Sequence, residues 1–207
     1  MHISGSIRQY LVKTILSSML LLAFQQAVAA DTAISAPVDK LHSVLLENMK
    51  QAGEQDFAGR YDSLEPVVAA NFDTPLISKV ILGRYWRELD EQTQQDFINL
   101  FRELTVATYA NRFDSYGGHH FNTVAVEDLR KERHLVKTEL QAAGEKPVSL
   151  DYIVQNSEDG WKIISVIANG VNDLSLKRAE YGTVIKDKGF DSLVEDIRKQ
   201  IDSLKPG

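Results

Sequence analysis

The chain has 207 residues, 43% of them hydrophobic, with 23 basic against 29 acidic residues and no cysteine. The lack of cysteine excludes a thiol nucleophile, thiolate metal sites and covalent haem attachment. The acidic balance argues against nucleic acid as a partner, and against electrostatic docking on anionic membrane surfaces.

Residues 1–30 read as a secretory signal peptide. Arg8 and Lys13 give a positive start, Leu11 to Phe24 an apolar stretch, and Ala27-Val28-Ala29 a small-x-small cleavage site. The apolar part, Ile15 to Phe24, is shorter than the roughly 20 residues a spanning helix needs. Arg8 and Lys13 are the only formal charges in 1–30, so residues 31–207 keep 21 basic and 29 acidic residues, a net charge of −8. That remainder is the length of one domain.

Val38, Leu41, Val44, Leu45 and Met49 recur at helical spacing, and Gly53 follows as a stop. A short helix over Phe57 to Leu64 is closed by Pro66. Thr74 as N-cap and Pro75 at the first position open another helix, whose inner face carries Leu76, Ile77, Val80, Ile81 and Tyr85. Asp90 caps the longest one, about Glu91 to Tyr116, with Phe97, Leu100, Phe101, Leu104, Thr108 and Phe113 as its stripe. Gly117-Gly118 ends it.

The pattern then changes to strands at Phe121 to Glu127, Leu135 to Ala142, Val148 to Gln155 and Trp161 to Ala168, separated by short turn signals. Val148, Leu150, Tyr152 and Val154 share one strand face. Close spacing predicts an antiparallel meander. Two helices close the chain, about Leu176 to Lys186 and Ser192 to Leu204, with Ser192 and Glu195 at capping-box spacing. The expected fold is α+β: a curved antiparallel sheet of about four strands packed against several helices, enclosing an apolar cavity.

No nucleotide-binding, metalloprotease, nucleophile-elbow or calcium-loop motif occurs. His119-His120 follows a turn, where successive side chains diverge, so a metal pair is not expected. Asp62 and Glu65 fit a solvated helix face. Ser165 lies in a strand with no implied histidine. No catalytic residue, metal or cofactor is expected. Candidate cavity-lining residues are Val80, Phe97, Phe101, Leu104, Tyr152, Val154, Val166 and Val184, which the two periodicities turn inward, with Tyr85 and Val171 beside them. Trp86 and Tyr109 are read as braces of the helix pair framing the cavity. Periodicity by itself does not separate a cavity wall from ordinary core. A hydrolase or isomerase on this scaffold, or an interaction protein with a filled core, are the competing classes.

Phe72-Asp73, Val80-Ile81-Leu82-Gly83-Arg84-Tyr85-Trp86, Gln95-Asp96-Phe97, Phe101-Arg102-Glu103-Leu104 and Thr108-Tyr109-Ala110 resemble signature positions of the MlaC/toluene-tolerance family. Asp151-Tyr152, Gly160-Trp161-Lys162, Gly170-Val171, Arg178 and Gly189-Phe190 continue the resemblance. It implies a periplasmic, non-enzymatic lipid shuttle, expected as a monomer. It also implies phospholipid as ligand, with an inner-membrane ABC transporter complex and an outer-membrane lipoprotein complex as partners. The run Asn172-Asp173-Leu174-Ser175-Leu176-Lys177-Arg178-Ala179-Glu180-Tyr181 departs from the phospholipid branch. It looks more like the hopanoid-associated HpnM branch, which implies a hopanoid as the alternative ligand.

Overall fold

The computed structural model describes residues 32–205. The expected signal peptide, 1–30, lies outside the described residues. Helix α1 spans residues 32–50 and buries Val38, Leu41, Leu45 and Met49 along one face. The a/d-like spacing of those four aliphatic residues is what turns that face inward.

Helix α2, Phe57–Asn71, is capped by the Asp56 carboxylate, which accepts from the Gly59 amide at 2.9 Å. It does not stop at Pro66 as expected but runs through it. An internal proline forgoes one backbone bond, at a penalty of about 3 kcal/mol. Burial of Val67 and Val68 just beyond it holds the last turn in place. Arg60 is buried within α2, its Nε donating to the Ala110 carbonyl at 2.8 Å and its Nη1 to the Gln55 carbonyl at 2.9 Å.

Helix α3, Thr74–Leu82, is capped by Asp73 and not by Thr74; the Asp73 carboxylate accepts from the Leu76 amide at 3.0 Å. Gly83, at φ +57°, ends α3. Only a residue without Cβ adopts that conformation freely. Tyr85 therefore leaves the α3 face and starts a separate 3₁₀ turn, Tyr85–Glu88. Helix α4, Glu91–Arg112, begins at Asp90 as expected, with Thr93 N–H donating to the cap at 2.8 Å. It ends four residues before Tyr116. Phe113 leaves the helix to bury its ring, 5.9 Å from Tyr109 and 6.3 Å from Phe121.

The sheet comprises β1 (His120–Leu129), β2 (Arg133–Gln141), β3 (Val148–Ser157), β4 (Gly160–Ala168) and β5 (Val171–Asn172). It is antiparallel throughout, in spatial order 1-2-3-4-5. The two-residue β5 is one strand more than the sequence predicts. Irregularities at Thr123/Ala125 and Ile153/Val154 break the register, and such bulges bend a sheet. A parallel bridge between Phe72 and Ile163 ties the α2–α3 junction to β4.

Asn172 caps α5, Asp173–Lys188, by accepting from the Ser175 amide at 2.9 Å, so α5 begins three residues before the expected Leu176. Helix α6, Phe190–Leu204, follows Gly189 at φ 90° and buries Leu193, Ile197 and Ile201. The expected capping box is absent. Ser192 lies inside α6 and donates to the Lys188 carbonyl at 3.0 Å, while Glu195 pairs with Lys199 at 2.8 Å. No helix among the described residues is long and apolar enough to cross a membrane.

Candidate functional site

The helices do not pack evenly on the sheet. On one side the interface is full. Tyr152, Val154 and Val136 are completely buried on the inner sheet face. His42 of α1 stacks on Phe121 at 3.9 Å, and its Nε2 is 3.0 Å from the Tyr152 hydroxyl. Burial pushes the His42 imidazole down from its ordinary 6.5 to about 4, so at neutral pH it is uncharged. Phe97 fills the α4–α6 side, 5.9 Å from Phe190 and 6.3 Å from Phe101.

On the other side there is a cavity of about 590 Å³ between α3, α4, α5 and the strands β2 to β5. That size falls within the roughly 300–1,000 Å³ of ligand pockets, whereas a packed core leaves few voids larger than a water. Its walls are Ile77 and Ile81 from α3, Phe101 and Leu104 from α4, and Leu150 and Val166 from the sheet. The small residues Thr105, Thr108, Ser165 and Ala168 leave the space open.

Two of those residues are polar in name only. Thr105 Oγ1 donates to the Phe101 carbonyl at 2.8 Å, and Thr108 Oγ1 to the Leu104 carbonyl at 2.7 Å. Satisfied by their own helix, the hydroxyls add little polarity to the wall. Ser165 is the exception: it is buried on the cavity wall, and its Oγ has no hydrogen-bond partner among the described residues. A buried donor left unpaired is destabilising by about 1–3 kcal/mol.

The charged groups gather at one end. Lys177 Nζ lies 3.8 Å from Asp173 Oδ1, one turn apart on α5, and both residues line the cavity with Arg112. The Tyr109 hydroxyl faces this end. Burial drives its phenol well above the usual range, the Asp173 carboxylate raises it further and Arg112 opposes. The exposed apolar residues Val148, Val171 and Leu176 complete the lip.

The expected lining residues divide accordingly. Phe101, Leu104, Val166 and Val171 line the cavity, as does Tyr109, the expected brace. Phe97, Tyr152 and Val154 face inward but lie in the filled half, where His42 and Phe190 occupy the space before them. Val80 and Val184 are half-buried outside the lining. Tyr85 lines a separate surface cleft, because Gly83 ends the helix before it. Trp86 packs half-buried on the core, and its carbonyl accepts from Gln94 Nε2 at 2.9 Å. Sequence reasoning missed Thr105, Ser165, Asp173 and Lys177 as cavity residues. Their common signal, small or polar side chains at inward positions, reads as surface without the fold. His119 also reaches the cavity, while its Nδ1 accepts from the Gly117 amide at 3.0 Å. Glu65 pairs with Arg102 at 3.6 Å, on the solvated face expected for it. No group of three or more potential metal ligands occurs among the described residues.

A curved antiparallel sheet roofed by helices over a mostly apolar cavity defines a binding fold, one that encloses a ligand away from water. The chain belongs to the MlaC protein family, whose pattern matches residues 37–199. The toluene tolerance protein ttg2D of Pseudomonas putida is 24% identical over 188 residues, covering 89% of this chain and 85% of that one. The fold is shared with a phospholipid-binding protein of Ralstonia solanacearum solved in complex with a phospholipid, at a TM-score of 0.71 and 20% identity over 84% of this chain and 97% of that one.

Proposed function

We propose that this protein is a periplasmic carrier for phospholipid, with residues 31–207 as its single lipid-binding domain after removal of a signal peptide. The observation that carries the proposal is the cavity of about 590 Å³, apolar along its walls and charged at one end. Each methylene removed from water contributes roughly 0.8 kcal/mol, so a cavity of this kind stabilises acyl tails that cannot cross an aqueous space alone. Phe101, Leu104 and Val166 contact the tails in this reading. Arg112 and Lys177 face the lipid phosphate, and Asp173 faces an amine where the head group carries one. The phospholipid bound by the Ralstonia relative supports the same assignment. The protein exchanges lipid with an inner-membrane ABC transporter complex and an outer-membrane lipoprotein complex, as a monomer and without catalysis.

The charged lip also supports phospholipid over a hopanoid. A hopanoid presents no phosphate to a pair of cations. Asn172 and Asp173, the residues that mark the departure from the phospholipid branch, serve as the α5 cap and as a member of the lip. Native mass spectrometry of protein purified without detergent tests the proposal. The expected result is one bound phospholipid, released by replacing Val166 with Trp. Recovery of a hopanoid, or of protein that neither carries nor takes up lipid, would overturn it.

A further inference from the structure

The family-like run Leu82-Gly83-Arg84-Tyr85 does not build the cavity. It builds, with α5, a second and more open cleft of about 340 Å³. Arg84, Arg178 and Lys186 line this cleft, and none of its lining residues is acidic. The protein as a whole is net −6, so a cleft lined by three cations and no acidic residue is against its average; Glu88, outside the lining, acts on Arg84 electrostatically. They also keep most of their donors free. Arg84 Nη2 donates to the Tyr85 hydroxyl at 2.8 Å, which leaves four of its N–H groups free. Arg178 and Lys186 make no hydrogen bond and no ion pair within the described residues. Yet Arg178 is placed: its Nη2 is 3.5 Å from where a Cβ on Gly83 would stand, so the guanidinium lies against bare backbone.

We propose that the α3–α5 cleft is a binding site for a phosphate-class anion, separate from the lipid cavity. Two planar guanidinium forks suit the paired oxygens of a phosphate, and an ammonium supplies a third donor. Ala179 and the Tyr85 ring, over which the Arg84 guanidinium lies at 4.8 Å, give the cleft a small apolar flank. None of the three cations lines the cavity, so the site stands or falls independently of lipid carriage.

Titration of the protein with inorganic phosphate, with glycerol 3-phosphate and with chloride at matched ionic strength tests it, read as amide and Arg Nε shifts in ¹⁵N spectra. The expected result is a saturable shift at Gly83, Arg84 and Arg178. A response to inorganic phosphate assigns the site to the free ion, and a response to glycerol 3-phosphate alone assigns it to a lipid head group. The double variant Arg84→Gln/Arg178→Gln should weaken binding at least about tenfold, as loss of two charge-assisted contacts predicts, and Lys186→Gln less. All three residues are exposed, so folding should survive. Absence of a saturable shift, the same response to chloride, or an unchanged midpoint in the variants would overturn the proposal.

Discussion

The two halves of the helix–sheet interface use the same alternation of inward residues to opposite ends. In the filled half Tyr152 meets the His42 ring and Phe97 meets the Phe190 ring. Around Val166 and Leu104 the neighbouring positions are Thr105, Thr108, Ser165 and Ala168, and the volume stays open. Inwardness is thus a property of one element, whereas a cavity is a property of the volumes on two facing elements. The filled half supplies stability and the open half keeps an interior from closing.

The largest way to test that contrast is truncation in the filled half. Phe97→Ala should destabilise by about 3–5 kcal/mol, the usual range for a buried aromatic. Leu104→Ala, beside an existing void, should fall toward the low end of the roughly 2–5 kcal/mol range for leucine. Denaturant midpoints measure both. Equal losses would mean the cavity wall is packed as tightly as the core.

The next effect is the part of the acid sensitivity that His42 brings to the filled half. His42 binds a proton more readily when unfolded, at about 6.5, than when folded, at about 4. Its contribution is therefore present above pH 6.5 and is lost as pH falls toward 4, at most about 3 kcal/mol in all. Urea titrations of the wild type and His42→Gln at pH 7 and 4.5 should show the variant losing less on acidification. An equal loss in both proteins would place the acid sensitivity elsewhere.

Filling the open half should act in the reverse sense. Thr108→Leu adds apolar volume where there is room, and should leave stability unchanged or raised by about 1 kcal/mol while lowering the amount of lipid that copurifies. A strong loss of stability would show that the cavity is smaller than it looks. The smallest effect is at the helix cap beside the lip. Asn172→Ala removes the α5 cap and should lower stability by about 1 kcal/mol, seen as a small drop in Tm. Asn172→Asp should restore it.

Most of the fold was legible because its signals are local. Asp90 and Pro75 act within a turn of the helices they open, and the strand alternation of Val148 to Val154 identifies a buried face; Gly117-Gly118 misled, because Phe113 turns its ring into the core and ends α4 at Arg112. Pro66 misled because tertiary burial of Val67 and Val68 overrides a local breaker. Ser192 misled because Gly189 already starts the helix. The site was legible only in part. Phe101, Leu104, Val166 and Val171 face the cavity from positions that periodicity turns inward or the strand end supplies. Tyr152 and Val154 show the same periodicity, but whether a residue meets a ring or a void depends on α1, more than a hundred positions away. Asp173 and Lys177 carry no apolar signal, and only the closing of α5 over the sheet brings them to Tyr109.

The sheet order has a kinetic consequence. Each strand pairs with its neighbour in sequence, so every hairpin closes a short loop at small entropic expense. The contact between His42 and Tyr152 instead spans 110 residues. Non-local closures of that length are what slow folding. The hairpins of the meander are thus the easy closures of this fold, and the docking of α1 onto it is a costly one that weighs on the folding rate.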